Sequence, residues 1–324
     1  MSYAMVIPAP GPARAMERRD RPPVAPQPGE VLIRQTAVGV NFIDVYFRQG
    51  LYPWPVERDL ILGSEGAGVV EALGDGVTGL TVGQRVAYTL PNNAYATHRT
   101  LAAAHVVAQP DDIPDTVAAA VMLKGLTAHY LIHQSYAAQA GDTVLVHAAA
   151  GGVGLLLGQW LAAKGVRAIG TAGGPDKCAL AREHGYAQVI DYRAGDFVAQ
   201  VKDLTGGKGV AAVYDSVGKD TVLGSLDCLA TFGTLVSFGQ SSGSPDQVRI
   251  SHLARGSLRL TRPSLFHFTA RRDWLEGAAR DLFEVIRKGQ VKVRIDRELP
   301  LEQAAEAHEA LESRATTGSI VLKP

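Results

Sequence analysis

The sequence predicts an α/β protein in which a doubly wound parallel sheet is inserted into a mainly β domain. Three observations indicate this fold. Short β-branched runs separated by glycine and proline fill the first 120 residues, strands and helices alternate from residue 142, and the chain after residue 264 returns to helices and a short strand. We expect residues 1–122 and 265–324 to form the mainly β domain and residues 123–264 to form the alternating one.

Length and composition fit two folded domains and exclude several functional classes. A chain of 324 residues that is 46% hydrophobic and 20% charged can bury enough apolar surface to offset the entropy of ordering. Its 32 basic residues balance 32 acidic ones, so no global charge attracts nucleic acid or anionic lipid. Two cysteines, Cys178 and Cys228, are too few for a disulfide framework, and we expect a cytoplasmic location.

The first domain is predicted to consist of strands separated by tight turns. The predicted strands are residues 4–7, 31–35, 67–71, 85–89 and 105–108. The turns include Gly-Asp-Gly at residues 74–76 and Pro-Asn-Asn at residues 91–93. After residue 264 the chain is expected to complete this domain with an amphipathic helix around residues 274–286, a helix at 301–312 and a strand at 319–322.

The alternating segment predicts parallel strands joined by helical crossovers. The predicted strands are residues 143–147, 167–171, 188–191, 210–215 and 234–238, and the predicted helices are residues 153–164, 176–184, 197–204 and 221–229. Gly165, Gly185 and Gly206 each follow a predicted helix. A left-handed residue is common at that position, and glycine adopts it most easily.

No targeting signal or membrane span is expected. Residues 143–163 contain no Asp, Glu, Lys or Arg, and a spanning helix needs about 20 apolar residues. However, His147 and the glycines after it divide this segment into a strand, a turn and a helix. The first residues of the chain carry no basic residue ahead of their apolar run, unlike a secretory signal.

A glycine-rich turn after the predicted strand 143–147 is the strongest chemical signal. Dinucleotide-binding Rossmann folds need small residues where a strand turns tightly into a helix and where the pyrophosphate meets the backbone. Gly151 and Gly154 occupy two of the three glycine positions, and Ala149 occupies the first. The phosphates would lie at the N–H groups of Gly152 and Val153, where the helix N-terminus is partly positive. The alternative is a buried turn of an ordinary α/β sheet.

The end of the second strand favours NADPH over NADH. An acidic residue there usually receives the ribose hydroxyls of NAD, but this strand ends in Thr-Ala-Gly-Gly at residues 171–174. Asp176 is expected to cap the next helix. Lys177, Tyr192 and Arg193 offer cationic and hydroxyl groups for a 2′-phosphate. The alternatives are a solvated Lys177 and an Asp176 that binds the ribose after all.

Metal and nucleophile motifs are weak. His129 and His133 lie four residues apart on a predicted helix, but no third ligand is near in sequence, so ordinary helical residues are favoured over a zinc site. His147 is expected to be a hydrogen-bonded core residue rather than a catalytic base. A Gly-x-Ser-x-Gly motif is absent, and Ser64-Glu65 has no histidine nearby in sequence.

Six segments together resemble a known family. They are residues 39–46, 63–70, 124–127, 147–154, 215–218 and 312–316. They are similar to those of NADPH-dependent quinone reductases, the zeta-crystallin-like, zinc-free branch of the medium-chain dehydrogenase/reductase superfamily. The resemblance implies a Rossmann NADPH-binding domain at residues 123–264, inserted into a GroES-like catalytic domain.

The resemblance also implies chemistry without a metal. Zinc alcohol dehydrogenases of this superfamily carry a cysteine where this chain has Asn41 and a histidine where it has Ser64. Without those ligands, the zinc route to alcohol oxidation is excluded. Direct hydride transfer from NADPH to a quinone or an activated enone is implied instead.

Site residues follow from the resemblance. It implies a nicotinamide and substrate cleft between the domains, lined by the candidate catalytic residues Asn41, Asp44, Tyr46 and Tyr52. Tyr46 and Tyr52 are equally consistent with packing. With the glycine turn, the expected cofactor-binding residues are Asn41, Tyr130, Gly151, Gly152, Val153, Gly154, Gly173, Lys177, Tyr192, Ser216, Phe238, Ser241, Ser242, Leu265 and Arg314.

Three functions stay open at this point. The first is an NADPH-dependent quinone reductase acting on a small molecule, and the second is an alkenal or enone reductase of the same fold. The third is an NADPH-binding protein with a structural or RNA-binding role, against which the zero net charge counts. The resemblance implies a homodimer, and neither a membrane nor a nucleic-acid partner is expected.

Overall fold

A computed structural model of the protein describes residues 2–324. The chain divides into two units. Unit 1 contains the chain up to Leu126 together with Phe268–Arg287 and Val293–Pro324, and unit 2 contains Thr127–His267 and Lys288–Lys292. The two segments of unit 2 therefore each interrupt the sequence of unit 1.

Sixteen strands and nine α-helices are found among residues 2–324. The strands are β1 (Tyr3–Ile7), β2 (Glu17–Asp20), β3 (Glu30–Val40), β4 (Leu60–Ile61), β5 (Glu65–Leu73), β6 (Arg85–Thr89), β7 (His98–Ala102), β8 (Val106–Ala108), β9 (Thr143–Val146), β10 (Arg167–Ala172), β11 (Gln188–Asp191), β12 (Val210–Asp215), β13 (Leu229–Ser237), β14 (Arg259–Thr261), β15 (Ile295–Pro300) and β16 (Ser319–Lys323). The helices are α1 (Phe42–Arg48), α2 (Asp115–Tyr130), α3 (Gly152–Ala163), α4 (Pro175–Glu183), α5 (Phe197–Leu204), α6 (Val222–Asp227), α7 (Leu265–Thr269), α8 (Arg272–Arg287) and α9 (Ala304–Glu312).

Unit 1 is built on a seven-stranded sheet in the order β15-β16-β3-β5-β6-β8, with β7 paired to β3, and on a three-stranded sheet in the order β2-β1-β4. The long strand β3 is the centre of the larger sheet, because it pairs antiparallel with β5, β7 and β16. Its register places Gly39 opposite Glu65. The core contains the fully buried side chains Ile33, Tyr88 and Tyr95.

Unit 2 is built on a six-stranded parallel sheet in the order β11-β10-β9-β12-β13-β14. The strand order reverses between β9 and β12, because the chain crosses there from one half of the sheet to the other. Ligands of open α/β sheets bind at the carboxyl ends of the strands beside such a reversal. Leu145, Ile169 and Val213 form part of the core of this sheet.

The predicted fold class is confirmed, and many element bounds agree with the sequence pattern. Strands β6, β11 and β12 and helix α5 have the predicted limits. Gly165, Gly185 and Gly206 follow their helices with φ angles of 73°, 91° and 57°. A positive φ is the conformation that favours glycine at a helix end.

Other bounds differ from the prediction. The predicted helix 221–229 is limited to Val222–Asp227, because Leu229 already begins β13 and pairs with Val210. Asp176 is not a helix cap: Gly174 is the N-cap of α4, Pro175 is its first residue, and Asp176 lies in the first turn. The short or exposed strands β2, β4, β7, β14 and β15 lack a clear alternation of apolar residues and were not predicted.

Residues 143–163 form β9, the turn and α3 rather than a span. Within residues 2–324, no helix has both the length and the apolar character needed to cross a bilayer.

Candidate active site

Helix α1 places two of the candidate catalytic residues in the interior of unit 1. Asn41 is the N-cap of this helix, and its backbone N–H donates to the Oδ2 atom of Asp44 at 2.9 Å. Asp44 is fully buried and Asn41 is nearly so. The bond satisfies the N–H group of the N-cap residue, which the helix itself leaves without a partner.

Long-range contacts complete the surroundings of Asp44. Ser64 Oγ donates to Asp44 Oδ1 at 2.6 Å, and Tyr95 OH donates to Asp44 Oδ2 at 3.1 Å. Tyr95 OH also lies 2.9 Å from Nε2 of His308. Since the single Tyr95 proton goes to Asp44, His308 donates its Nε2–H to Tyr95. These side chains connect α1 to the residue before β5, to a loop and to α9.

Burial shifts both ends of this chain of hydrogen bonds toward their neutral forms. Desolvation raises the pKa of Asp44 from 3.8 to about 7, against the opposing effect of the bonds from Ser64, Asn41 and Tyr95. Desolvation, aided by the positive charge of Arg48, lowers the pKa of His308 to about 3. His308 is therefore neutral near pH 7, and Asp44 titrates there.

A buried ion pair fixes the side chain of Asn41. Lys124 Nζ donates to Glu65 Oε1 at 2.7 Å, and Asn41 Nδ2 donates to the same oxygen at 2.8 Å. The backbone N–H of Leu123 donates to Glu65 Oε2 at 2.6 Å. Glu65 is fully buried. A Cβ on Gly39 would collide with Oε1 of Glu65, so only glycine fits beside this carboxylate.

Tyr46 and Tyr52 belong to one aromatic cluster formed by residues in and just after α1. Their ring centroids are 5.5 Å apart, and Tyr46 and Phe42 are 6.3 Å apart. The ring of Phe47 meets Tyr52 edge-on at 5.5 Å. Tyr46 is buried and Tyr52 is partly exposed, so packing accounts for much of Tyr46, whereas one side of Tyr52 reaches solvent.

The glycine-rich turn of unit 2 has the predicted strand-turn-helix geometry. Gly151 is the N-cap of α3, and its backbone N–H donates to Ala148 O at 2.9 Å. A Cβ on Gly154 would collide with backbone oxygens of Ala148 and Ala149, whereas a Cβ on Gly151 would meet only Ala148 within 4 Å. Gly154 thus permits close packing, and Gly151 keeps space open at the helix N-terminus. The first N–H groups of α3, at Gly152 and Val153, have no intrahelical acceptor.

The turn after β10 lies beside two of the groups predicted near a 2′-phosphate, Tyr192 and Arg193. A Cβ on Gly173 would lie 2.5 Å from the hydroxyl of Tyr192 and 3.1 Å from Nε of Arg193. Lys177 lies in the first turn of α4. The nearby carboxylate of Asp191 accepts the backbone N–H groups of Gly174 at 3.0 Å and Arg193 at 2.9 Å. Both N–H groups donate to the Oδ1 atom of Asp191, and these bonds lower the pKa of its carboxyl group.

Two further strand-end loops pack against each other. Ser241 N donates to Ser216 O at 3.2 Å, and both N and Oγ of Ser242 donate to Val217 O, at 2.9 and 2.8 Å. Phe238 N donates to Asp215 O at 2.9 Å. The loops after β12 and β13 therefore present the predicted residues Ser216, Phe238, Ser241 and Ser242 together.

The remaining predicted cofactor residues are placed individually. Tyr130 is the buried last residue of α2, Leu265 is the buried first residue of α7, and the exposed Arg314 follows α9 with φ of 57°.

The histidines form packed or hydrogen-bonded pairs. The rings of His129 and His133 have centroids 4.6 Å apart and are tilted by 41°, and both meet Trp160 edge-on. His147 is a hydrogen-bonded core residue, as predicted, with Thr171 and Ser225 as its partners at 2.9 Å. Among residues 2–324, no three His, Cys, Asp or Glu side chains converge as a metal site requires.

Several polar side chains of the unit 1 site were not predicted from the sequence. Glu65, Lys124, Tyr95 and His308 were not expected at the site. Glu65 and Lys124 lie inside segments that carry the family resemblance, and this is the only sequence signal that marks them. Tyr95 and His308 are separated by 213 residues, and no local pattern connects them.

Comparison with known proteins assigns the chain to a family. Residues 27–142 match the family described as alcohol dehydrogenase GroES-like domain, and residues 184–322 match the family described as zinc-binding dehydrogenase. The chain is 48% identical over 316 residues to a quinone oxidoreductase of Pseudomonas aeruginosa, covering 97% of each protein. The chain belongs to the quinone oxidoreductase family. The expected membership in the medium-chain dehydrogenase/reductase superfamily is thus confirmed.

Members of this family and a related reductase share the fold. The crystal structure of Escherichia coli quinone oxidoreductase complexed with NADPH superposes with a TM-score of 0.97 at 42% identity, covering 99% of this chain and 100% of that chain. A 2-haloacrylate reductase of Burkholderia sp. is 42% identical over 308 residues, covering 93% of this chain and 92% of that protein.

Proposed function

We propose that this protein is an NADPH-dependent quinone oxidoreductase that transfers reducing equivalents to a quinone without a metal. The observation that carries the proposal is the β9-turn-α3 geometry, with Gly151 leaving open space at a helix N-terminus at the point where the strand order reverses. The family relationship and the NADPH complex of the E. coli relative support it.

The residues of unit 2 fit a dinucleotide phosphate. The N–H groups of Gly152 and Val153 would bind the pyrophosphate. Lys177 and Tyr192 would bind the 2′-phosphate beside Gly173, where Asp191 is already engaged by backbone N–H groups. The loops carrying Ser216, Phe238, Ser241 and Ser242 would complete the site.

The residues of unit 1 would position the acceptor. NADPH supplies a hydride when it is bound. Asn41, oriented by Glu65, would donate a hydrogen bond to the nicotinamide carboxamide or to the acceptor oxygen. The hydroxyl of Tyr52 or Tyr46 would bind an acceptor oxygen as negative charge develops there. Asp44, a fully buried residue in the first turn of α1, is a positioning residue that fixes the start of the helix that follows Asn41 and carries Tyr46.

The same residues disfavour a zinc mechanism. Zinc in dehydrogenases prefers thiolate and imidazole ligands, whereas Asn41 offers an amide and Ser64 a hydroxyl. Both are engaged, since Asn41 donates to Glu65 and Ser64 donates to Asp44. We therefore expect dialysis against a chelator to leave turnover unchanged, and recovery of lost activity on adding zinc would contradict a metal-free mechanism.

A second candidate acceptor is an activated enone. The related 2-haloacrylate reductase favours it, because the name of that enzyme describes an alkene conjugated to a carboxylate. The deciding measurement is a set of initial rates with NADPH and NADH against benzoquinone, naphthoquinone and a 2-alkenal. Higher kcat/KM for the quinones supports the first proposal, a preference for the alkenal supports the second, and no NADPH oxidation with any acceptor rejects both.

Gly151→Ala tests the coenzyme site directly. An added methyl group would lie 3.2 Å from Ala148 O and otherwise in open space, so the fold should persist while the pyrophosphate loses its close approach to the backbone. We expect KM for NADPH to rise more than about tenfold. Gly277→Ala, whose added methyl would lie 3.9 Å from Arg280, is the matched control.

We also infer that the enzyme acts as a homodimer in the cytoplasm. The family resemblance supports the dimer, and two buried free thiols, Cys178 and Cys228, are consistent with a reducing compartment. Light scattering after size-exclusion chromatography distinguishes a dimer from a monomer of 34.3 kDa.

A further inference from the structure

Unit 2 contains a buried, hydrogen-bonded histidine, His147, that takes no part in the proposed chemistry. His147 follows β9 directly, and its ring lies between two hydroxyl groups. Nδ1 is 2.9 Å from Thr171 Oγ1, and Nε2 is 2.9 Å from Ser225 Oγ. Ser225 Oγ in turn donates to Asp215 Oδ2 at 2.8 Å. All four side chains are nearly or completely buried.

The direction of every hydrogen bond in this group follows from the Asp215 carboxylate, which is the last acceptor. A carboxylate only accepts, so the single Ser225 proton goes to Asp215. Ser225 Oγ must then accept from His147, which places the proton of a neutral imidazole on Nε2. His147 Nδ1 consequently accepts, and Thr171 donates to it. The order is Thr171 to His147 to Ser225 to Asp215, and it fixes one tautomer.

These bonds join three strand-end segments of unit 2. Thr171 lies near the end of β10, and its backbone oxygen accepts the N–H of Ala149 from the glycine turn at 2.9 Å. Asp215 ends β12, and its Oδ1 accepts the N–H groups of Val217 at 2.8 Å and Gly218 at 3.0 Å. The turns after β9, β10 and β12 are therefore held by one continuous group of bonds.

We propose that His147, as the Nε2–H tautomer, is a positioning residue for the coenzyme: it links Thr171 to Ser225 and Asp215 and so sets the spacing of the three turns that receive NADPH. The inference rests on the proposed function, because the ligand is the coenzyme named there. His147 touches neither the coenzyme nor the acceptor in this role. His147 acts through its two partners: Thr171, whose backbone oxygen binds Ala149 of the glycine turn, and Ser225, which binds Asp215.

Two substitutions of Thr171, one without and one with a hydroxyl group, test this inference. Thr171→Val replaces the hydroxyl by a methyl group of the same size and leaves Nδ1 of His147 buried without a donor, whereas Thr171→Ser keeps the hydroxyl. We expect Thr171→Val to raise the Kd for NADPH about tenfold and Thr171→Ser to restore it to within about threefold. KM for NADPH should change more than kcat.

Thr234→Val is the control for the substitution itself. Thr234 is a buried residue of β13 in the same parallel sheet, and it is not part of the His147 group. The Kd of the Thr234→Val variant for NADPH should equal that of the wild type. Equal Kd values for Thr171→Val and Thr171→Ser would overturn the inference while leaving the proposed function intact.

Two measurements decide the inference without turnover. The ¹⁵N shifts of His147 should identify a neutral ring protonated on Nε2, and a ring protonated on Nδ1 would overturn the bond order. Ser225→Ala should accelerate amide hydrogen exchange at Val217 and Gly218 in the coenzyme-free protein, and unchanged exchange would overturn the link to that turn. Failure of the wild type to bind NADPH would instead reject the proposed function and the coenzyme role with it, whatever the tautomer.

Discussion

Two buried carboxylates, one in each unit, are satisfied in different ways. Asp215 in unit 2 takes its donors from the next ten residues, namely Val217, Gly218, Thr221 and Ser225. Asp44 in unit 1 takes one donor from Asn41 nearby, but the others come from Ser64 and Tyr95. The donors to Asp215 are therefore local in sequence, whereas most donors to Asp44 reach it only through tertiary packing.

This difference decides how each site responds to change. Local donors stay close to Asp215 whenever the strand and its loop form. The partners of Asp44 and Glu65 meet only when β5, α1 and α2 are packed together. We therefore expect substitutions in the unit 1 polar cluster to destabilise the fold more than substitutions in the unit 2 turns.

The largest expected effect is on the buried ion pair of unit 1. Glu65→Gln leaves the ammonium of Lys124 buried without its counter-charge. Such a loss costs about 3–5 kcal/mol in the free energy of unfolding, measured by urea titration. Glu71→Gln, which affects the more exposed pair with Arg34 at 3.0 Å, should cost less than about 1 kcal/mol.

The double variant Glu65→Gln/Lys124→Met sharpens the result. It removes both charges, so we expect it to be more stable than Glu65→Gln alone. A double variant as unstable as Glu65→Gln would mean that hydrogen bonds to Asn41 and Leu123, and not the unpaired charge, carry the effect.

The next effect is a pH dependence due to Asp44. Its pKa is raised from 3.8 to about 7, mainly by burial, so the folded chain binds this proton more tightly than the unfolded chain. The resulting stability is fully present below about pH 4 and is lost as the pH rises to about 7. At about 1.4 kcal/mol per pKa unit, the loss is of the order of a few kcal/mol.

Asp44→Asn tests the pH dependence. Urea titrations from about pH 4 to about pH 8 should show a smaller fall in stability for this variant than for the wild type. Asp246→Asn, in an exposed loop of unit 2, should keep the wild-type slope. Parallel curves for Asp44→Asn and the wild type would show that Asp44 does not titrate in this range.

A smaller effect is expected at the glycine turn of unit 2. Gly154→Ala places a methyl group against the backbone oxygens of Ala148 and Ala149, which cannot rotate away. Overpacking of this kind costs about 1–3 kcal/mol. Gly277→Ala, in the open on α8, should instead stabilise the protein by up to about 1 kcal/mol. A loss at Gly154 larger than that of Glu65→Gln would reverse the comparison of the units.

The smallest effect on folding and the most selective effect on binding are expected at Lys177. Lys177→Ala should weaken NADPH binding about tenfold and leave NADH binding unchanged, because only NADPH carries the 2′-phosphate. Fluorescence titration with each coenzyme measures the two Kd values, and Lys164→Ala is the control. Equal weakening of the two coenzymes would remove Lys177 from the phosphate site.

Features whose residues are close together in sequence could be predicted from the sequence. The turn containing Gly151 and Gly154 could be predicted, because a strand, a turn and a helix follow each other directly. Lys177 and Tyr192 could be related to the same edge of the sheet, since parallel strands end together. The core role of His147 followed from its position after a buried strand.

Long-range partners could not be predicted in this way. Nothing within a few residues of Glu65 indicates that Lys124 reaches it, and Tyr95 meets His308 only through the packing of α9. Asp176 was assigned as a helix cap because Asp is common there, but Gly174, with φ of 91°, takes that position ahead of Pro175. Resolving such cases needs the tertiary structure.

The position of β16 in the larger sheet bears on the order of events during synthesis. Strand β3 is made early, yet its neighbour β16, and β15 beside it, are made after all six strands of the parallel sheet. The parallel sheet can therefore form on the ribosome while Val38, Gly39 and Val40, beyond the part of β3 that pairs with β7, still lack their partner strand on that edge. Until residues 319–323 arrive, this short stretch of strand edge is open to pairing with other chains.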